Sequence, residues 1–293
     1  MPNIALKKLK NPSSFRRIAA SAWPMPADPT IYGGMEVRAE KLLAWLDAEG
    51  QRLGTRLTVT HAAARALAIV LGRHPDLNGV IRHGAIYLRQ SVDLLLQVAI
   101  PSDDGELSKT DLSAVVLRGV DQKDVGVIAD ELRSRAKKVR TGQDKEFKKT
   151  KGMLDVVPSF LLRPLLRFID FLQFGLNLDL SWAGMAKDAF GSAMVTSVGM
   201  LGIKRGYAPI FPLAHTPILL MVCAIEEKPV VEDGELAVGK VLNLTASFDH
   251  RLVDGYHAGK VAGEIRHLLE NPEELGAAEA QGEPATEGSP TPA

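Results

Sequence analysis

The stretch SFDHRLVDGYHAGK, residues 247–260, gathers His250 and His257 with Asp249 and Asp254 inside nine positions. Three chemistries compete for such a cluster. A zinc site would bring an HExxH or CxxC spacing, and neither occurs. A serine nucleophile on a strand-to-helix elbow would bring GxSxG; the hydroxyls of TSVGMLG, residues 196–202, precede a glycine but lack that spacing. The third chemistry is general base catalysis. A histidine at a strand end, before a polar turn and a helix, is held firmly yet can face a cleft, and its near-neutral pKa suits removal of a proton from a thiol or hydroxyl. In this third reading Asp254 and Gly255 make a tight turn, in which the aspartate holds an arginine or caps the helix. On these residues alone a purely structural histidine stays open.

The surrounding pattern shows what must position the cluster. A strand is expected at TIYGGMEVRA, followed by helices at EKLLAWLDAEGQRLG and TVTHAAARALAIVLGRHPDLNG, the second apolar on most faces and therefore buried. VIRHGAIYLRQ reads as a hairpin turning at His83-Gly84, and SVDLLLQVAIP and DLSAVVLRGV read as strands. In DQKDVGVIADELRSRAKKVR, Val125, Ile128, Ala129, Leu132 and Ala136 form the stripe of an amphipathic helix. Three more strands, SAMVTSVG, PILLMVCAIEEKPVV and KVLNLTASFD, lead to the histidine, the last two joined through EDGEL. A helix from Tyr256 to Glu270 follows. Strands and helices mix without a regular βαβ rhythm, which implies an α/β (α+β) sandwich of a mixed sheet with helices in one domain.

The boundaries expected are an extended N-terminal arm over residues 1–28, one domain over 29–272, and a disordered tail over 273–293 rich in Ala, Glu, Gly and Pro. The 293 residues carry 35 basic and 35 acidic side chains, so no general pull toward nucleic acid or membrane is expected. The lone cysteine, Cys223, sits in an apolar run and reads as packing. The N-terminus has basic residues and no apolar signal core, and a cytoplasmic location is expected.

A resemblance sharpens the base reading. SFDHRLVDG resembles the DHRxxDG signature of the dihydrolipoyl acyltransferase catalytic domain of 2-oxoacid dehydrogenase complexes, and shares HxxxDG with chloramphenicol acetyltransferase, which has the same fold. GSAMVTSVGMLG is similar to that family's strand and glycine turn, FRRIAAS to its N-terminal arm, VTHAAARALAIVLGRHPDLNG to a helix ending in P-x-L-N, and QKDVGVIADEL to a later helix. The likeness covers about residues 11–145 and 191–272. It implies a two-layer, chloramphenicol acetyltransferase-like fold and a homotrimer with active sites between subunits. His250 would deprotonate the attacking thiol, and Thr196 of the neighbouring subunit would hydrogen-bond the oxyanion. Asp254 and Gly255 would be structural, with Asp254 paired to Arg16 or Arg17 of the arm. Coenzyme A would be a substrate, and no metal is expected.

Three departures from the family bear on function. No lipoyl domain or lipoyl-lysine is read before residue 11, so the acyl group is expected in trans from a lipoyl or similar carrier protein, or from acyl-CoA. The segment DDGELSKTDLSAVVLRGV is longer than its family counterpart and leaves substrate identity open. Residues 146–190 form an apolar insert that holds Phe160, Phe168, Phe171 and Phe174, four of the nine phenylalanines. Arg163, Arg167 and Asp170 interrupt it and argue against a membrane span, and an amphipathic helix is expected from Pro164 to Phe174 with Pro164 at its start. Extra trimer interface, a lid on the acyl channel, and peripheral membrane contact through residues 156–180 all remain open for it. The expected activity is acyl transfer between a thioester carrier and coenzyme A by a free trimer without a larger core. The alternatives are an O- or N-acyltransferase and a non-catalytic trimeric scaffold.

Overall fold

The computed structural model describes residues 28–100, 111–141 and 158–276. Arg16 and Arg17 lie outside them, as do the arm over 1–27 and the insert up to residue 157.

Alternation of apolar residues builds the strands of one six-stranded mixed sheet. Along the chain come β1 (Thr30–Arg38), α1 (Glu40–Leu53), α2 (Val59–Arg73), the short hairpin β2 (Gly79–Arg82) and β3 (Ala85–Leu88), β4 (Leu94–Ile100), β5 (Asp111–Leu117) and α3 (Val125–Arg140). Then follow α4 (Ser159–Asp170), β6 (Ala193–Ser197), β7 (Ile218–Glu232), β8 (Glu235–Asp249) and α5 (Gly255–Glu270). The sheet order is β1-β8-β7-β6-β4-β5. β6 is parallel to both β4 and β7, and the other neighbouring pairs are antiparallel. β2 and β3 pair apart from the main sheet and turn at His83 and Gly84, both with positive φ.

One face of the sheet packs on the helices. Val37, Leu96, Val195, Leu220, Leu242 and Phe248 meet Leu42, Leu67, Ile128 and Ile265 in one buried core. Complete removal of a side chain of this size from water stabilises by about 1.5–3 kcal/mol. The alternate strand residues Leu95, Met194, Leu219, Met221 and Cys223 form a second, smaller cluster on the opposite face. This is the expected arrangement of a mixed sheet with helices, and Cys223 is buried as packing.

Two boundaries move. The C-terminal limit expected at residue 272 is passed: Pro272–Leu275 make a turn, Leu275 is fully buried, and its carbonyl accepts from Arg65 Nε at 3.3 Å. The insert helix starts earlier than expected, at Ser159 after Pro158, so Pro164 lies inside α4 and not at its start. Pro164 forfeits the one bond its missing N–H would make to the Phe160 carbonyl, a loss confined to the exposed first turns of the helix. A π-turn, Phe171–Gly175, ends the element.

Candidate functional site

His250 follows the last residue of β8 and is exposed. Its backbone N–H donates to the Pro29 carbonyl at 2.9 Å, while the Asp249 N–H donates to the Pro217 carbonyl at 2.9 Å. The end of β8 is thereby tied to the entrances of β1 and β7. The neighbours of His250 clamp on one another. Arg251 Nε reaches Asp249 Oδ1 at 2.9 Å and its NH2 reaches Oδ2 at 2.6 Å. Burial pulls the Asp249 carboxyl upward, but the Arg251 hydrogen bonds outweigh it and hold the group below the usual carboxylate range. A two-point guanidinium–carboxylate contact fixes the turn on either side of the histidine and leaves the imidazole outside the pair.

Asp254 caps α5. Its Oδ1 accepts from the Tyr256 and His257 N–H groups at 2.9 and 3.0 Å and lies 2.8 Å from His257 Nδ1. The His257 backbone bond leads the causes that hold the Asp254 carboxyl below its ordinary value. Of the two roles open in the sequence, the cap is therefore formed; the arginines expected as partners, Arg16 and Arg17, fall outside the described residues. His257 is part of this cap. Gly255 opens the helix, and a Cβ there would meet open space, so nothing among the described residues demands a glycine at that position.

Thr196 sits near the end of β6, 7% exposed, on the sheet face shared with Met194. Its hydroxyl makes no hydrogen bond among the described residues. The glycine turn after it has a steric reason: a Cβ on Gly199 would stand 2.6 Å from the Cys223 carbonyl oxygen. Ser197, as the alternation requires, points to the other face. There it lines a cleft of about 800 Å³ with Met200, the C-terminal turns of α1 and residues 54–60.

Register decides whether His250 and Thr196 meet. Thr196 pairs with Met221, and Met221 pairs with Thr245. His250 is five residues beyond Thr245, past the Ile218 end of β7, where Phe248 is already the last paired residue. Five residues at about 3.3 Å and two strand spacings of about 4.8 Å separate the two Cα atoms by roughly 19 Å. One chain therefore carries both groups and does not bring them together. No cluster of three or more His, Cys, Asp or Glu side chains able to hold a metal occurs among the described residues.

Sequence reading missed a second set of contacts near the histidine. Arg82 Nε and NH2 donate to the Phe174 and Gly175 carbonyls at 2.6 and 3.1 Å, and His83 Nε2 lies 2.8 Å from the Gly175 carbonyl. His215 Nε2 lies 2.6 Å from Asp170 Oδ1, with its ring stacked on Phe174 at 4.1 Å. His215 holds a φ of 52°, left-handed backbone that its partners on α4 and the π-turn help to fix. No periodicity marks such contacts, because they join segments far apart in the chain.

Comparison with known proteins places this geometry. Residues 15–154 and 186–277 match the family model described as 2-oxoacid dehydrogenases acyltransferase (catalytic domain). A dihydrolipoyllysine-residue acetyltransferase component of the pyruvate dehydrogenase complex of Staphylococcus epidermidis is 26% identical over 226 residues, 76% of this chain and 40% of that protein. The corresponding component of the acetoin cleaving system of Bacillus subtilis is 24% identical over 225 residues, 77% of this chain and 44% of that protein. The chain thus spans less than half the length of these curated relatives. Among solved structures, a probable dihydrolipoamide acetyltransferase from Listeria monocytogenes superposes with a TM-score of 0.60 at 22% identity, covering 90% of this chain and 95% of that one. The dihydrolipoamide acetyltransferase of Azotobacter vinelandii gives 0.61 at 20% identity, covering 94% and 99%. These likenesses establish the fold.

Proposed function

The chain belongs to the 2-oxoacid dehydrogenases acyltransferase family, as its catalytic domain, and from that premise we propose that it moves an acyl group between a thioester carrier and coenzyme A. His250 takes the proton from the attacking thiol. The thiolate sulfur bonds to the thioester carbonyl carbon, and the carbonyl oxygen becomes an oxyanion. The Thr196 hydroxyl of a neighbouring copy donates to that oxyanion. Collapse re-forms the carbonyl and breaks the bond to the first sulfur, which leaves with the proton held on His250. No acyl-enzyme forms, because the substrate thiol is the nucleophile. Asp249 and Arg251 hold the turn, and Asp254 holds the start of α5. None of the three touches the reacting atoms.

The observation that carries this reading is the separation of base and donor within one chain. His250 is exposed and the Thr196 hydroxyl is unbonded among the described residues, as their roles need, and a second copy is required to bring them together. A closed ring of three copies satisfies that requirement with three equivalent sites. The Azotobacter structure comes from work on a serine, a histidine and an asparagine in that enzyme's catalytic mechanism, the last two four positions apart, as His250 and Asp254 are here. The relatives' names support a lipoyl group as the carrier, and we propose that it reaches the site in trans on a separate protein. The test is transfer from acetyl-CoA to dihydrolipoamide, then to an added lipoylated domain. Turnover abolished in His250→Ala supports the reading. Turnover only with a hydroxyl or amine acceptor replaces it with an O- or N-acyltransferase, and an intact trimer inert toward every acyl-CoA makes the protein a scaffold.

A further inference from the structure

The family match stops at residue 154 and resumes at 186, so α4 and its π-turn belong to a segment the family pattern does not account for. None of α4's apolar side chains joins either buried core. The element is held at its C-terminal end, through Asp170 to His215 and through the Phe174 and Gly175 carbonyls to Arg82 and His83. Its outward face is aromatic: Phe160 is 78% exposed, Phe168 57% and Phe171 49%, with Leu161 beside them at 46%. At 3.6 residues per turn the three phenylalanines fall within about 80° of one another, and Arg163 and Arg167 run along one flank. Both arginines are exposed, and neither has an ion-pair partner among the described residues.

We propose that this face docks on an anionic lipid surface, with the phenylalanines entering the headgroup boundary and Arg163 and Arg167 meeting lipid phosphates. Charge selects the occupant. The two exposed charges flanking the aromatic stripe are both positive, the Asp170 carboxylate on the same flank being paired with His215, in a chain of 35 basic and 35 acidic residues that supplies no general attraction. A protein partner would have to place carboxylates opposite both arginines, whereas an anionic leaflet offers phosphates at any heading of the helix in the membrane plane. Wide aromatic and leucine coverage beside arginines is the pattern of a helix lying in the interface plane. α4 does not cross the bilayer, since no helix among the described residues is long and apolar enough to do so. His215 is two residues before Pro217, whose carbonyl binds Asp249, and Gly79 at the foot of the β2–β3 hairpin lies against Leu252. α4 is thus tied to two segments that flank the turn carrying His250.

Sedimentation of the full chain with phosphatidylcholine vesicles, and with vesicles containing phosphatidylglycerol, tests this. Wild type is expected to bind the anionic vesicles and to release as salt rises. Arg163→Gln with Arg167→Gln should weaken that binding roughly 25-fold, about fivefold per arginine. Phe168→Asp with Phe171→Asp should lose it at least tenfold while thermal melting and oligomer mass stay those of wild type. Equal or negligible binding of wild type and variants overturns the proposal. A fall in oligomer mass in the phenylalanine variant overturns it as well, and makes the face a contact between copies.

Discussion

Acid should expose a strain at one end of the domain's most buried helix. His61 occupies the third position of α2, 9% exposed, and its Nδ1 accepts from the Thr58 N–H at 3.2 Å as half of a reciprocal cap. Burial is the main cause that lowers its pKa from 6.5 to about 4; Arg133 adds to the effect and Asp130 opposes it. The unfolded chain therefore binds a proton below about pH 6.5 while the folded chain resists until about pH 4. Stability contributed by the neutral imidazole is whole above pH 6.5 and falls as pH drops through that window. At 1.36 kcal/mol per pKa unit, the loss between pH 7 and pH 5 is about 2 kcal/mol, approaching about 3 kcal/mol below pH 4. His61→Gln isolates this group, because glutamine at the third helical position can make the same reciprocal cap and does not titrate. Urea unfolding of both proteins at pH 7 and pH 5 should show the wild type losing about 2 kcal/mol more than the variant across that interval. Parallel losses in the two proteins would refute the assignment of the strain to His61.

Two substitutions at the candidate site separate chemistry from scaffold. Thr196→Ala should lower kcat by about 100-fold, the effect of one oxyanion donor, with KM little changed, while Thr196→Ser restores most of the rate; steady-state kinetics decide it. Asp254→Ala removes the cap from the Tyr256 and His257 N–H groups and should cost about 1 kcal/mol by chemical denaturation, whereas Asp254→Asn, itself a good cap, should cost less than half of that.

The sheet and α5 were legible because alternation and the 3.6-residue period survive in the sequence: Val261, Ile265, Leu268 and Leu269 form the buried stripe of α5. The start of α4 was not, since Pro164 reads as a first-turn signal and the helix begins at Ser159. Leu275 looked like part of a polar tail because no period surrounds it; its burial depends on a distant surface near Arg65. Within the site, a histidine at a strand end before a polar turn and a helix pointed to a base at His250, but the clamp between Asp249 and Arg251 needed the turn geometry. The distance between His250 and Thr196 was hidden for a stronger reason. It follows from strand register, and register is set by pairing between segments, which neither segment's sequence states alone.

In the proposed reaction, base and oxyanion donor come from different copies of the chain. Mixing equal amounts of His250→Ala and Thr196→Ala protein, each nearly inactive, unfolding them together and refolding them tests it most directly. Random reassembly places an intact His250 opposite an intact Thr196 at one interface in four, so the mixture should recover about a quarter of wild-type turnover. A mixture that forms trimers yet stays as inactive as its parents would contradict the account.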